Sequence, residues 1–260
     1  MISKQQIKDI HSLRLKKYRD QNNIFVAEGP KVVGELLTSF PCIYIGATES
    51  WIDDNIHLLH ANVKYDVLTD DELNKASLLE APQQVIGIFE RKTALLPTHT
   101  DLQGELCLAL DHVQDPGNMG TILRIASWFG IKDIVCSSDC ADIYSPKVVQ
   151  ATMGALGRVN VASCGSLAKY ISDIITVNHD IPVYGTFLDG GNIYQANLSS
   201  NGLIVMGNEG NGISSEVSRI INKRLYIPPF PAGTPSIESL NVGVATAIVC
   251  AEFRRRQSYA

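Results

Sequence analysis

Apolar runs and amphipathic stretches alternate along nearly the whole chain. Residues 106–110 (LCLAL) and 203–206 are unbroken apolar runs, the pattern of strands buried on both faces of a parallel sheet. The first ninety residues predict short strands at 24–27, 42–46, 65–68 and 85–89. Helices are expected at 5–22, at 31–38 after Pro30, over 51–60, and in a short segment carrying Leu73 and Leu78 behind a Thr69 or Asp70 cap. Residues 91–103 show no period and read as a linker. Beyond it, strands are expected at 106–110, 134–136, 159–162, 182–187 and 203–206, and a last apolar run ends at Ile227-Pro228. Helices are expected at 121–129, 146–153 and 166–177, a turn at Gly190-Gly191, and a final helix opening at Ser239. Such alternation makes α/β units. The expected division is a small three-layer domain over 1–95, a linker at 96–103 and a parallel-sheet domain over 104–260.

Composition adds limits to this picture. Of 260 residues, 45% are apolar and 19% charged, which is ordinary for a soluble globular chain. No apolar run reaches the length of a membrane span, and the N-terminus lacks the apolar core of a secretory signal. Six scattered cysteines form no CxxC pair and read as reduced thiols of a cytoplasmic protein, with no metal site. A net charge of −5 argues against nucleic-acid binding through overall charge. It leaves room for a local basic face, and Lys16, Lys17 and Arg19 form one such cluster near the N-terminus.

The candidate chemistry sits in three loops where strands end and helices begin, the place where α/β proteins bind small ligands. The first strand of the second domain leads into Asp115-Pro116-Gly117-Asn118-Met119-Gly120, with Arg124 on the helix that follows. The run 203–206 leads into Gly207-Asn208-Glu209-Gly210-Asn211-Gly212. Neither loop is a Rossmann GxGxxG after a first strand, and neither carries the Lys-Ser/Thr of a P-loop. A cleft of backbone polar groups with apolar walls from Ile227 and Leu240 suits an adenosine-type ligand. Taken singly, Asn118 reads as a turn residue and Ser239 as a helix cap.

Taken together, these segments resemble a family. The stretch from Asp115 to Arg124 is similar to the first motif of the SpoU class of RNA ribose methyltransferases. Met206 to Ser214 resembles the second, and Ile227-Pro228 with Glu238-Ser239-Leu240-Asn241-Val242 resembles the third. The resemblance spans about 150 residues, and a looser N-terminal match resembles the RNA-binding extension of part of the family. It implies a SPOUT fold, with a deep C-terminal trefoil knot, behind a small ribosomal-protein-like RNA-binding domain. It implies a homodimer, S-adenosyl-L-methionine as cofactor, and methyl transfer to a ribose 2′-hydroxyl of RNA, ribosomal in preference to transfer RNA.

By the same resemblance the catalytic positions are Arg124, Asn118, Glu209, Ser239 and Asn241. Cofactor contacts are assigned to Thr186, Met206, Gly207, Asn208, Gly210, Ile227, Pro228 and Leu240, and RNA contacts to Lys16, Lys17, Arg19 and Arg124. The family's usual scheme makes the arginine a base. A guanidinium has five donors and no acceptor, so Arg124 is better read as a phosphate-positioning, charge-stabilising group, with Glu209 or a water taking the proton. The segment 229–237 is longer than the family pattern, and Arg254-Arg255-Arg256 could extend an RNA surface or simply end a helix favourably. The rival reading is a noncatalytic RNA-binding or ribosome-assembly protein that kept the fold.

Overall fold

The computed structural model describes residues 2–231 and 239–258. Its contacts divide the chain into two units. The first comprises the chain up to Thr93 together with Asp142–Arg158; the second comprises Ala94–Ala141 and the chain from Val159 onward. The expected linker at 96–103 therefore lies inside the second unit, where α6 (Asp101–Gly104) forms and Thr98 donates to Asp101. The expected 104–260 domain is interrupted, because residues 142–158 pack with the first unit.

The first unit is a four-stranded mixed sheet in the order β1 (Ile24–Glu28), β4 (Val85–Glu90), β2 (Cys42–Ala47), β3 (Lys64–Val67). β4 runs antiparallel to both neighbours, and β2 and β3 run parallel. Strand alternation sends Val26 and Ile86 to one face, where they pack with Ile10 and Leu13 from the α1 region (Lys4–Ser12) and with Leu73 and Ala76 of α5 (Asp70–Ala76). Phe25 and Phe89 point the other way and stack on each other, with Phe40 edge-on and Tyr144 tilted against Phe25. Tyr144 lies just before α8 (Pro146–Thr152), which with α3 (Pro30–Leu37) packs against β1. The unit thus has three layers, and α8 completes one of them. Between α3 and β4 the chain also forms α4 (Glu49–Asn55), shorter than the expected 51–60 helix and followed by a single 3-10 turn.

The expected helix over 5–22 is two helices, α1 and α2 (Lys16–Asn22). Arg19 explains the break. Its guanidinium donates to the carbonyls of Leu13 and Arg14 at 2.6 and 2.9 Å and to Asp142 Oδ2 at 2.6 Å, and only 2% of the residue is exposed. Carbonyls that a continuous helix would have used are satisfied by a side chain instead. Arg19→Ala should destabilise this unit by about 3 kcal/mol, because it strands the half-buried Asp142 carboxylate. An unchanged chemical denaturation midpoint would show that the pair contributes nothing.

The second unit is a six-stranded, all-parallel sheet in the order β10 (Lys223–Tyr226), β8 (Val183–Asn192), β9 (Gly202–Met206), β5 (Leu106–Leu110), β6 (Asp133–Ser137), β7 (Asn160–Cys164). Every residue of β5 and β9 is buried, as the unbroken apolar runs predict. From β5 the chain continues through α7 (Pro116–Trp128) to β6 on one side. From β9 it continues through α10 (Ser215–Ser218) to β10 on the other. The connections diverge between β5 and β9, so the carboxyl ends of these two strands form the switch point where α/β sheets bind ligands. α9 (Leu167–Val177) covers one face through Leu167, Ile171 and Ile174. α11 (Val242–Ser258) packs against α7.

Two elements depart from expectation. α7 opens at Pro116 instead of Thr121, because Asp115 accepts from Asn118 N at 2.7 Å and caps it. β8 does not turn at Gly190-Gly191 but continues to Asn192. Its pairing with β10 jumps from Gly185↔Arg224 to Gly191↔Leu225, so residues 186–190 bulge out of the ladder. Gly190 returns the strand to the sheet at a point where a Cβ would sit 2.5 Å from the Leu225 backbone. Among the described residues, no helix is long and apolar enough to cross a membrane, and no cluster could hold a metal ion. All six cysteines are free thiols.

Candidate active site

The carboxyl ends of β5 and β9 carry the first two loops, and hydrogen bonds join them to the start of α11. Asn118 sits in the first turn of α7, and its Nδ2 donates to Glu209 Oε1 at 2.8 Å. Its Oδ1 accepts from Asn241 Nδ2, also at 2.8 Å. One amide therefore bridges residues 91 and 123 positions away in sequence. Asn241 uses its own Oδ1 to cap α11, accepting from Gly243 N at 2.9 Å and Val244 N at 3.2 Å. The cap of this helix is thus Asn241 and not Ser239, which is exposed.

The glycine loop is closed on itself. Asn208 and Gly212 exchange backbone hydrogen bonds at 2.9 and 3.0 Å, and Asn208 Oδ1 accepts from the N–H groups of Gly210 and Asn211. Gly207 lies against the far side of this turn, where a Cβ would stand 2.3 Å from Gly212 C and Ile213 N. Only glycine fits there. Asn208 Nδ2 also donates to the His112 carbonyl at 2.8 Å, tying the loop to the end of β5.

Met206 is buried at the end of β9, and Ile227 and Pro228 are half-buried just past β10. Thr186 is half-buried one residue beyond the last β8–β9 pair, Gly185↔Val205, and so lies level with the end of β9. Leu240 is 41% exposed at the start of α11. Glu209, Asn118 and Asn241 are thus joined by hydrogen bonds and Asn208 is tied to the His112 carbonyl, while Thr186, Ile227 and Pro228 lie at strand ends of the same sheet. Arg124 is on the exposed side of α7, and no hydrogen bond or ion pair holds it among the described residues. Glu238 lies outside the described residues, as do 232–237 of the lengthened loop.

Residues 105–251 match the SpoU rRNA Methylase family, more than half of the chain and across all three loops. The chain belongs to that family. Residues 4–87 match the MRM3-like substrate binding domain. The 23S rRNA (guanosine(2553)-2′-O)-methyltransferase RlmP of Bacillus subtilis is 30% identical, with 96% of each chain covered. Two solved structures are similar over nearly their full length. A TrmH-family protein from Porphyromonas gingivalis is 40% identical, with a TM-score of 0.88 and coverage of 99% of this chain and 100% of that one. An AdoMet-bound rRNA methyltransferase from Sinorhizobium meliloti is 28% identical, with a TM-score of 0.82 and coverage of 99% and 97%.

The basic residues separate clearly in this SpoU chain. Arg19 is removed from the RNA-contact set, since its guanidinium is spent inside the first unit. Lys16 and Lys17 are exposed; Lys16 pairs with Asp20 at 2.6 Å across one helical turn, a weak surface contact. Arg254 donates to the carbonyls of Phe129 and Gly130, and Arg256 to those of Ile193, Tyr194 and Ala196. That triplet therefore serves chiefly to close the ends of neighbouring segments. Arg255 and Arg256 also bracket Glu252, holding its carboxyl down at about 2.

Sequence reasoning passed over Asp111 and His112, the two residues directly after β5. Asp111 is 1% exposed, and its Oδ2 accepts from Ser214 N at 2.7 Å. The available signal was a carboxylate at the end of a fully apolar run, where it must find a partner.

Proposed function

We propose that this protein transfers a methyl group from S-adenosyl-L-methionine to a ribose 2′-hydroxyl of ribosomal RNA. The observation that carries this reading is the Glu209–Asn118–Asn241 hydrogen-bond chain, which gathers three loops at the switch point of a parallel sheet. The relatives support the rest: one is an rRNA 2′-O-methyltransferase by name, and another is an AdoMet-bound rRNA methyltransferase.

The site fits the cofactor. Gly207 lets the backbone pass flush against Gly212, and Gly210 is exposed with no side chain of its own. Met206, Gly207, Asn208, Gly210, Thr186, Ile227, Pro228 and Leu240 are the residues assigned to hold it. When bound, it supplies an electrophilic methyl group on a sulfonium. Asn118 fixes Glu209 through Oε1, which leaves Oε2 without a partner among the described residues to accept the hydroxyl proton. Arg124 and Ser239 are exposed beside these loops and are assigned to the RNA phosphate and ribose. Asn241 joins the α11 cap to Asn118 and so holds the substrate side of the site in register. Lys16 and Lys17 of the first unit are assigned to the RNA backbone.

Three finer features belong to the same reading. The C-terminal segment forms a deep trefoil knot. Support comes from the sheet order, since β10 lies at one edge while Asn241, which follows it in the chain, bonds Asn118 at the start of α7 after β5. The protein is a homodimer through α7 and α11, supported by exposed Trp128 (85%) and Val244 (50%) on two helices that pack together. A monomer in sedimentation analysis would remove this feature. The compartment is the cytoplasm, which suits six free thiols.

Incubation with methyl-labelled cofactor and total RNA from a strain lacking the protein tests the whole reading. Label is expected at one ribose 2′-oxygen in ribosomal RNA. Cofactor binding without transfer to any RNA would favour a noncatalytic RNA-binding role.

A further inference from the structure

Asp111 and His112 hold the glycine loop from both ends. Asp111 N donates to the carbonyl of Met206 at 2.9 Å, just before the loop, and Asp111 Oδ2 accepts from Ser214 N, just after it. The His112 carbonyl accepts from Asn208 Nδ2, at the start of the loop. His112 is turned into this position by a left-handed backbone, φ 59°, and its N–H donates to Ser137 Oγ at 3.0 Å. Its ring lies between two carboxylates. Nδ1 is 2.6 Å from Asp111 Oδ1, and Nε2 is 3.3 Å from Asp139 Oδ2.

A neutral imidazole has one N–H and can donate to one of these carboxylates; its other nitrogen then turns a lone pair toward the second. Only the imidazolium donates to both. We propose that His112 is a positioning residue for the cofactor loop, and that its protonated ring, bonded to Asp111 and Asp139 together, sets how firmly that loop is held. This rests on the reading that Met206, Gly207, Asn208 and Gly210 bind S-adenosylmethionine.

The groups facing the ring are Asp111 on its own segment, and Asp139 and Cys140 on the segment after β6. The hydrogen bond that the ring donates to Asp111 is the main cause that raises the His112 pKa above its usual 6.5; burial opposes it, and the charges of Asp111, Asp139 and Cys140 add to it. The sign follows directly. The doubly bonded ring is complete below 6.5 and is lost as pH rises through the raised value. Asp139, exposed and at the longer distance, is released first, and the bond to Asp111 falls from an ion pair to a neutral N–H on a carboxylate.

The test is calorimetric titration of the full-length protein with S-adenosylmethionine at pH 6 and pH 9. Wild-type affinity should be about fivefold weaker at pH 9, the scale of losing the ring's own charge and its bond to Asp139. His112→Asn keeps a residue that tolerates positive φ. It should bind with the weaker affinity at both pH values, with kcat at saturating cofactor little changed. Asp139→Asn, at an exposed position that cannot upset folding, should move the drop to lower pH. Cys140→Ser should keep the drop, moved only slightly to lower pH, which separates His112 from the thiol, whose pKa is lowered to about 7 chiefly by its hydrogen bond with Cys136. A flat wild-type profile, or the wild-type pH dependence persisting in His112→Asn or unmoved in Asp139→Asn, overturns the inference while leaving the cofactor reading intact. No binding by wild type at any pH removes the cofactor reading and the inference with it.

Discussion

Replacing Arg124 by alanine is expected to cut kcat for methyl transfer by about a hundred- to a thousandfold, while S-adenosylmethionine binds nearly as before. The two halves of this expectation have separate physical origins. Arg124 projects from the exposed side of α7 and makes no hydrogen bond or ion pair among the described residues, so removing its side chain breaks nothing that holds the fold. The loops assigned to the cofactor are held instead by Asn118, Asn208, Asn241 and Asp111. In the proposed role, what is lost is a fork of donors for developing negative charge and for the RNA backbone. Lysine should restore little, because a point charge does not reproduce the planar fork. Single-turnover methylation and cofactor calorimetry on the same preparation check both halves, and retained turnover removes Arg124 from the mechanism.

The second large effect should come from Gly207→Ala. The added methyl would stand 2.3 Å from two backbone atoms of the same closed turn, Gly212 C and Ile213 N, with no flexible side chain to move aside. Relief requires opening the Asn208–Gly212 pairing, and that in turn strains the Asn208–His112 bond. A loss of roughly 3 kcal/mol in stability is expected, in the range of a severe packing clash. Cofactor affinity should fall below detection. Gly210→Ala is the control, since its added methyl meets nothing closer than Asn208 Oδ1 at 3.6 Å. Thermal melting should separate the two variants, and equal melting temperatures would sink the steric argument.

Much of the sheet was legible in the sequence because burial on both faces writes unbroken apolar runs, as in β5 and β9. Local capping chemistry was partly legible: Thr69 caps α5 as expected, but Asp115 starts α7 earlier than its apolar residues suggest. The misses are long-range. Nothing near residue 19 announces that its guanidinium will meet Asp142 Oδ2, 123 residues on, and end a helix in doing so. Nothing in the amphipathic pattern of 146–153 distinguishes a helix of the second unit from one that joins the first. The longer β8 depends on Gly190 meeting the backbone of Leu225, a contact invisible in a window of neighbours. At the site, single residues read as caps and turns. Only family resemblance brought Asn118, Glu209 and Asn241 together, and the hydrogen bonds then supplied a physical reason for their company.

The segment Asp142–Arg158 has a bearing on how such a protein can be taken apart. It leaves the second unit between β6 and β7, places Tyr144 against Phe25 and Phe40, and returns. The backbone therefore crosses between the units three times. A fragment ending at Thr93 would lack α8, the Tyr144 ring and the Asp142 carboxylate that Arg19 needs. The two halves are consequently not interchangeable cassettes. A first unit grafted from a relative would need its matching seventeen-residue insert between β6 and β7 of the parallel sheet, transplanted as a second, separate piece of sequence.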